Sequence, residues 1–354
     1  MKSVAVISAY AYIEHHANYG SLLQYYALQE YLKKAGYNPF WIRYVLPEEH
    51  TLFYYFKDTV KWLISSDDKK RKKIIKKQNS FIKKYLTLSK EVYCGDKALV
   101  DSPPKADYYI TGSDQVWGGC IEANYLRFVE GNHPKIAYAA SFGKDRLSQE
   151  QLIAIPDWIR SFDYVSLRET SGVDICRKLD IQSQLTVDPT LLLRDVDYPV
   201  VLPDFPVDFF AYFLNEFPLD CDVESIIRKK NSVICGGVNR NMTSFRRQEK
   251  ILSPEEWLGM IKTARVVLTN SFHGMIFSII FKKPFVVFLQ KGKTVSQNSR
   301  LASFLSTVGL EDRVYKNYDQ FKLLLKSKID WGKVYNKLDS VRLSSMLFLK
   351  NALK

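Results

Sequence analysis

Short, apolar, β-branched runs recur along this chain, and stretches with helical spacing separate most of them. That alternation limits the fold more than any other feature of the sequence. Residues 4–8 are such a run, of the kind that fills a buried parallel strand. After a polar loop, Ser21-x-x-Gln24 reads as a capping box, and Leu22, Leu23, Tyr26, Leu28, Tyr31 and Leu32 then fall close to helical spacing. Gly36 ends that helix and residues 40–45 make the next strand. A strand–helix–strand start predicts an open parallel sheet with helices on its faces. Further strands are expected at 108–111, 136–140, 164–167 and 185–187, with helices over 148–161 and 169–179.

The chain has 354 residues, enough for two domains. Pro199, Pro203 and Pro206 place a linker near 194–207. The alternation restarts beyond it, with strands at 209–214, 232–235, 266–269 and 285–289 and helices over 253–263, 274–281 and 296–308. The reading is therefore an N-terminal α/β domain over 1–195, carrying a basic helical insertion at about 53–86, and a C-terminal α/β domain over 207–317. A helical segment over 318–354 is expected to pack back on the first domain. Two such domains place a ligand at the carboxyl ends of parallel strands, in the cleft between them.

Composition narrows the function classes. Lys and Arg number 51 against 38 Asp and Glu, a net charge of +13. Residues 57–84 supply +8 of it, on 11 basic and 3 acidic side chains. The excess is thus one local patch, not the basic field of a nucleic-acid-binding protein, and no recognition motif accompanies it. Phe53, Tyr54, Tyr55, Phe56, Trp62, Phe81 and Tyr85 interleave with the lysines. That mixture reads as a solvated basic helix with an apolar underside, or as a peripheral contact with an anionic membrane. Five cysteines without a C-x-x-C pair read as reduced thiols of a cytoplasm-like compartment. The first residues lack a signal-peptide pattern, and the longest apolar candidate, 275–289, is broken by Lys282, Lys283 and Pro284.

The residues just after predicted strands carry the chemistry. Gly112-Ser113-Asp114 follows the strand at 108–111; Gly112 permits a tight turn, and Ser113 and Asp114 can cap a helix or contact a ligand. Arg168 ends the strand at 164–167, where it can bind a carboxylate or phosphate in bidentate fashion or form a salt bridge to Glu169 or Asp188. Asp188-Pro189-Thr190 ends the following strand and alone is a common turn. Asn270-Ser271-Phe272-His273-Gly274 opens an apolar helix, whose free N–H groups suit an anion and whose histidine can act as acid or base. Asn18-Tyr19-Gly20 lies between the first strand and its helix, where Gly20 allows close backbone approach. No G-x-G-x-x-G follows the first strand, no G-x-S-x-G elbow occurs, and no ligand set has zinc spacing.

Taken in order, these motifs resemble the polysaccharide pyruvyl transferase family. Those that carry the resemblance are Asn18-Tyr19-Gly20-Ser21-Leu22-Leu23-Gln24, Gly112-Ser113-Asp114-Gln115-Val116-Trp117, Tyr138-Ala139-Ala140-Ser141-Phe142-Gly143, Ser166-Leu167-Arg168-Glu169, Asp188-Pro189-Thr190-Leu191-Leu192 and Thr269-Asn270-Ser271-Phe272-His273-Gly274. The resemblance implies two Rossmann-like domains with parallel sheets in a glycosyltransferase-B-like pair. It implies transfer of pyruvate from phosphoenolpyruvate onto two hydroxyls of a sugar, as a cyclic ketal on a surface-glycan precursor. Phosphoenolpyruvate would be the donor substrate, with no cofactor and no metal, and the acceptor a sugar or lipid-linked oligosaccharide at the cytoplasmic face of the membrane. Where described members carry Arg-Leu-His, this chain has Ser271-Phe272-His273. His273 is then the expected proton donor and Asp114 the acceptor contact or hydroxyl base. Arg168, Asn18, Gly20, Ser113, Asn270 and Ser271 are expected at the substrates, with Arg300 in place of the missing arginine. The rival readings are a sugar-nucleotide glycosyltransferase of the same architecture and a non-catalytic glycan-binding or assembly protein.

Overall fold

The computed structural model describes residues 1–8, 18–46, 66–214, 218–236, 249–290 and 298–354. The parts of the expected basic insertion at 53–65 and of the expected helix start at 296–297 lie outside the described residues. In the first half, β1 (Ser3–Ile7), α1 (Tyr19–Lys34), β2 (Asn38–Val45), α2 (Ser66–Tyr85), β3 (Leu88–Cys94), α3 (Gly95–Asp101), β4 (Tyr108–Thr111), β5 (Lys135–Ala140), α4 (Gln149–Arg160), β6 (Tyr164–Leu167), α5 (Thr170–Lys178) and β7 (Gln184–Leu185) follow in order. Their seven strands form one sheet, β3-β2-β1-β4-β5-β6-β7, and every pairing is parallel.

The second half contains β8 (Phe209–Phe213), α6 (Cys221–Arg228), β9 (Ser232–Gly236), α7 (Pro254–Thr263), β10 (Val266–Thr269), α8 (Phe272–Ile280), β11 (Phe285–Val287), α9 (Asn298–Val308), α10 (Tyr318–Lys326) and α11 (Trp331–Ala352). Its four strands form a parallel sheet, β11-β10-β8-β9. The α/β class and the two parallel sheets are those the alternation predicts. In each sheet the strand order turns around at one point, between β1 and β4 in the first and between β8 and β10 in the second. Parallel sheets leave a crevice beyond the strand ends at such a point. Ser8 and Gly112 lie there in one sheet, and Leu214 and Asn270 in the other.

Some local expectations differ from the structure. Asn18, not Ser21, caps α1: its side chain accepts the Ser21 amide, so the Ser21–Gln24 capping box does not form. The segment 88–101 forms β3 and α3, which the sequence reading omits. Val92 and Cys94 of this sheet-edge strand are exposed, so no apolar run marks it. β7 is only two residues long, because the Val187 amide donates to Ser345 Oγ of α11 at 2.9 Å and leaves the strand ladder. The helical segment at 318–352 is two helices, separated at residues 327–330.

One apolar cluster joins the sheets. Val4, Tyr19, Leu22 and Ile110 belong to it from the first half, and Phe210, Trp257, Val267 and Met275 from the second. Tyr19 of α1 stacks on Trp257 of α7, with ring centroids 5.5 Å apart. α2 buries Ile74, Phe81 and Ile82, while Lys70 and Lys77 pair with Glu249 and Glu256 of the second half. α11 reaches the first half through Ser345, through Arg342 Nε to Leu191 O (2.6 Å) and through a bond from Tyr108 to the carbonyl of Lys354 (2.7 Å). All five cysteines are free thiols. Among the described residues, no helix is long and apolar enough to cross a membrane.

Candidate functional site

The first sheet supplies the anionic wall. Gly112 N donates to Ile7 O at 2.6 Å, and a methyl at Gly112 would lie 3.3 Å from Ser8 Cβ, so the turn after β4 lies tight against β1. This turn delivers Ser113 and then Asp114, whose φ of 74° lies in the left-handed region that aspartate tolerates better than most residues. Asp114 Oδ2 accepts from Ser21 Oγ at 2.5 Å. Its Oδ1 lies 3.3 Å from Arg168 Nη2 and 3.9 Å from Arg300 Nη1. Gln24 Nε2 donates to Ser8 Oγ at 3.2 Å, and Ser8 in turn donates to the Ser113 carbonyl. Ser21 and Gln24, read as helix caps from the sequence, thus brace the loop that carries Asp114.

Arg168 follows β6 and has only 1% of its side chain exposed. Its Nη1 donates to Asp188 Oδ2 at 2.8 Å, its Nε lies 3.9 Å from Glu169 Oε2, and Phe272 covers the guanidinium at 4.7 Å. Burial alone would lower the Arg168 pKa, but Asp114, Asp188 and Glu169 outweigh it and the value rises. Burial pushes the Asp114 and Asp188 carboxyls up. At Asp114 the charges of Arg168, His273 and Arg300 win, and its pKa falls. At Asp188, His273 and Arg168 hold the carboxyl well below the carboxylate range. Glu169 goes the other way: burial raises it, and Arg168 offsets only part of the rise.

The second sheet supplies His273. Thr269 ends β10, and its Oγ1 donates to Tyr212 O at 2.7 Å and accepts the Ser271 amide at 3.0 Å. The Asn270 side chain accepts from Leu214 N (2.6 Å) and donates to Leu214 O (2.8 Å). Ser271 Oγ accepts the Gly274 amide and caps α8. A methyl at Gly274 would approach Thr269 Oγ1 to 2.4 Å. These contacts fix the entry to α8 and put His273 at its second position, with Nε2 3.5 Å from Asp188 Oδ2. Gly20 of α1 meets the other side of the imidazole, where a methyl would lie 2.1 Å from Nδ1.

The structure therefore brings Ser113, Asp114, Arg168, His273 and Arg300 together, with the Gly20 backbone against the histidine. Asn18, Asn270 and Ser271 lie at the same helix starts, with side chains that cap backbone groups. Asp188, Glu169 and Ser21 belong to the cluster although the sequence reading assigned them no site role. For Asp188 the signal was present, an acid directly after a predicted strand, but Asp-Pro is so common in turns that it carries little weight alone. Among the described residues, the buried polar atoms of the cluster that make no hydrogen bond include His273 Nε2, Arg168 Nε and Glu169 Oε2. A groove of about 600 Å³, lined by Tyr164, Gln184, Ser344 and Phe348 among others, lies at the amino ends of β6 and β7, opposite the cluster. Among the described residues no group of three or more His, Cys, Asp or Glu side chains could hold a metal ion.

No curated protein matches the chain in sequence. Among solved structures it is similar to a UDP-GlcNAc 2-epimerase from Methanocaldococcus jannaschii, at 12% identity over 96% of this chain and 92% of that one, with a TM-score of 0.45. It is also similar to the spinosyn rhamnosyltransferase SpnG, at 10% identity over 99% and 100% of the two chains, with a TM-score of 0.48. S. aureus MnaA in a co-structure with UDP matches at 10% identity over 96% and 91%, also with a TM-score of 0.48. Likenesses at these scores carry no inference about this chain. The family comparison is of another kind, because the model described as polysaccharide pyruvyl transferase matches residues 18–291 and so takes in the second sheet, the first sheet except β1, and every group of the cluster except Arg300. The chain belongs to the polysaccharide pyruvyl transferase family.

Proposed function

We propose that this protein transfers pyruvate from phosphoenolpyruvate to two hydroxyls of one sugar, as a cyclic ketal on a surface-glycan precursor. The observation that carries this reading is His273 at the start of α8, facing a buried acid–arginine cluster from the other sheet. Family membership makes the protein a transferase; the donor and the ketal chemistry are the proposal.

In this reading His273 protonates the methylene carbon of phosphoenolpyruvate and leaves an oxocarbenium-like C2. A sugar hydroxyl attacks C2 and gives its proton to Asp114. The C2–O bond to phosphate then breaks, phosphate leaves with the bonding electrons, and the neighbouring sugar hydroxyl closes the ring on C2 and gives its proton to the now neutral His273. Asp114 is offered the base role because it is ionised beside Arg168 and Arg300 and Ser21 Oγ–H already shows a hydroxyl donating to it. Arg300 and the positive dipole end of α8 suit the donor's anionic groups. Arg168, enclosed by three carboxylates, fits better as the counter-ion that holds Asp114 and Asp188 than as the donor's own ligand.

The location proposed is the cytoplasmic face of the membrane, where the exposed lysines of α2, such as Lys73, Lys76, Lys83 and Lys84, would meet anionic lipid. Co-sedimentation with anionic vesicles that weakens as salt rises is expected; no binding at low salt would count against it. The test of function is phosphate release from phosphoenolpyruvate with a panel of sugars bearing 1,2- or 1,3-related hydroxyls. Acceptor-dependent release, lost by about 100-fold or more in His273→Ala, is expected. Thermal stabilisation by nucleotide sugars and not by phosphoenolpyruvate would reject the donor.

A further inference from the structure

We infer that Asp188 is a positioning residue for His273: it accepts a hydrogen bond from Nε2–H of the imidazole and leaves Nδ1 to carry the proton that is transferred. The inference rests on the reading of His273 as the proton donor.

Asp188 is fixed more firmly than a turn residue needs to be. Thr190 donates to its Oδ1 twice, from the amide at 3.0 Å and from Oγ1 at 2.7 Å. Arg168 Nη1 donates to its Oδ2 at 2.8 Å, and Ser113 Oγ at 3.2 Å. The preceding amide, Val187 N, is held by Ser345 of α11. Asp188 is 1% exposed, so its charge is not there to meet solvent. A buried carboxylate this well supplied with donors has one further neighbour, His273 Nε2, at 3.5 Å. That distance lies just beyond a good hydrogen bond, and catalytic contacts of this kind are often long until substrate binds.

The histidine is constrained from both sides. Gly20 packs against it near Nδ1, and only a residue without a side chain fits there. Among the described residues, Asp188 after β7 and Asp114 after β4 are the acids whose charge couples to the imidazole, and Arg168, Glu169 and Arg300 complete the charged cluster around these acids. Asp188 is the acid in contact range of a ring nitrogen, placed to accept a hydrogen bond from it. An acid that orients a histidine through one ring nitrogen fixes which nitrogen does the chemistry. Here the acid comes from one sheet and the histidine from the other, so the pair exists only where the two sheets meet.

The test uses the full chain with Asp188→Asn and Asp188→Ala. Asp188→Asn keeps an acceptor oxygen and removes the charge. Its kcat for pyruvyl transfer is expected to fall at least about tenfold with the donor KM within about threefold. Imidazole nitrogen NMR, assigned by difference against His273→Gln, should find the neutral His273 protonated at Nε2 in the wild type and in Asp188→Asn. In Asp188→Ala that preference should be lost. An Nδ1-protonated ring in the wild type, or wild-type kcat in Asp188→Asn, would overturn the inference. If the wild type transfers no pyruvate but the Nε2 signature disappears in Asp188→Ala, the pairing stands and the donor assignment fails.

Discussion

At the scale of single residues, the cluster is a balance of buried charges, and small changes should have large effects. Gly20→Ala forces a methyl to 2.1 Å from His273 Nδ1, and both α1 and α8 are too well packed to yield without displacing the ring. We expect at least a tenfold loss of turnover with an unchanged circular-dichroism spectrum, since misplacing a reacting group by about 1 Å can cost 100-fold. Acid stability offers a second measurement. Asp188 is pushed up by burial but held well down by His273 and Arg168. A carboxyl with a depressed folded-state pKa adds stability that is fully present above its unfolded value of about 3.9 and is lost as pH falls towards the folded value. Asp188→Asn should therefore be less stable than wild type at pH 6, and the gap in urea midpoints should narrow below about pH 4. Asp114, Arg168 and His273 were legible in the sequence because each follows an apolar strand. Asp188 also follows a predicted strand, but it and Glu169 carried little weight, because an Asp-Pro turn and an Arg-Glu neighbour pair are common on any surface. Only the three-dimensional closure of four strand ends shows both acids buried around one guanidinium.

At the scale of elements, helices were easier to read than the edges they cover. The apolar spacing of α1 and α8 marks both helices, though not their first residues, whereas β3 lies at the sheet edge with much of its length exposed and leaves no apolar signature. Gly259 shows a limit of another kind. Within α7 it reads as a mild weakness, yet a methyl there would lie 1.8 Å from the Val201 carbonyl oxygen. The glycine lets α7 lie directly under the Pro-rich connector, whose Val201 amide also donates to Glu255 O at 3.0 Å. Gly259→Ala should gain helix propensity and still lose stability, by about 1–3 kcal/mol, because the backbone carbonyl has no easy way to move. A denaturant midpoint equal to or above that of wild type would show that the connector can yield.

At the scale of the whole molecule, the two parallel sheets share one interior. The apolar cluster that holds Val4 and Ile110 of the first sheet also holds Phe210 and Val267 of the second, with Tyr19 against Trp257 at the join and α11 lying across from the second half to Val187. Two domains joined only by a linker would each keep a closed core and unfold separately; a continuous core makes each half a wall of the other. The net charge of +13 does not oppose this, because most of it sits on and around α2, where Lys70 and Lys77 already pair with acids of the second half. The expected result is a single urea transition, with the near-ultraviolet signals of Trp117 and Trp158 in the first half lost at the same midpoint as those of Trp257 and Trp331 in the second. The single-tryptophan replacements Trp158→Phe and Trp331→Phe would assign the signals, because neither ring is among the fully buried side chains. Two separated midpoints would mean that the halves dock weakly. The Asp188–His273 contact, which spans them, would then form and break with that docking instead of with the fold.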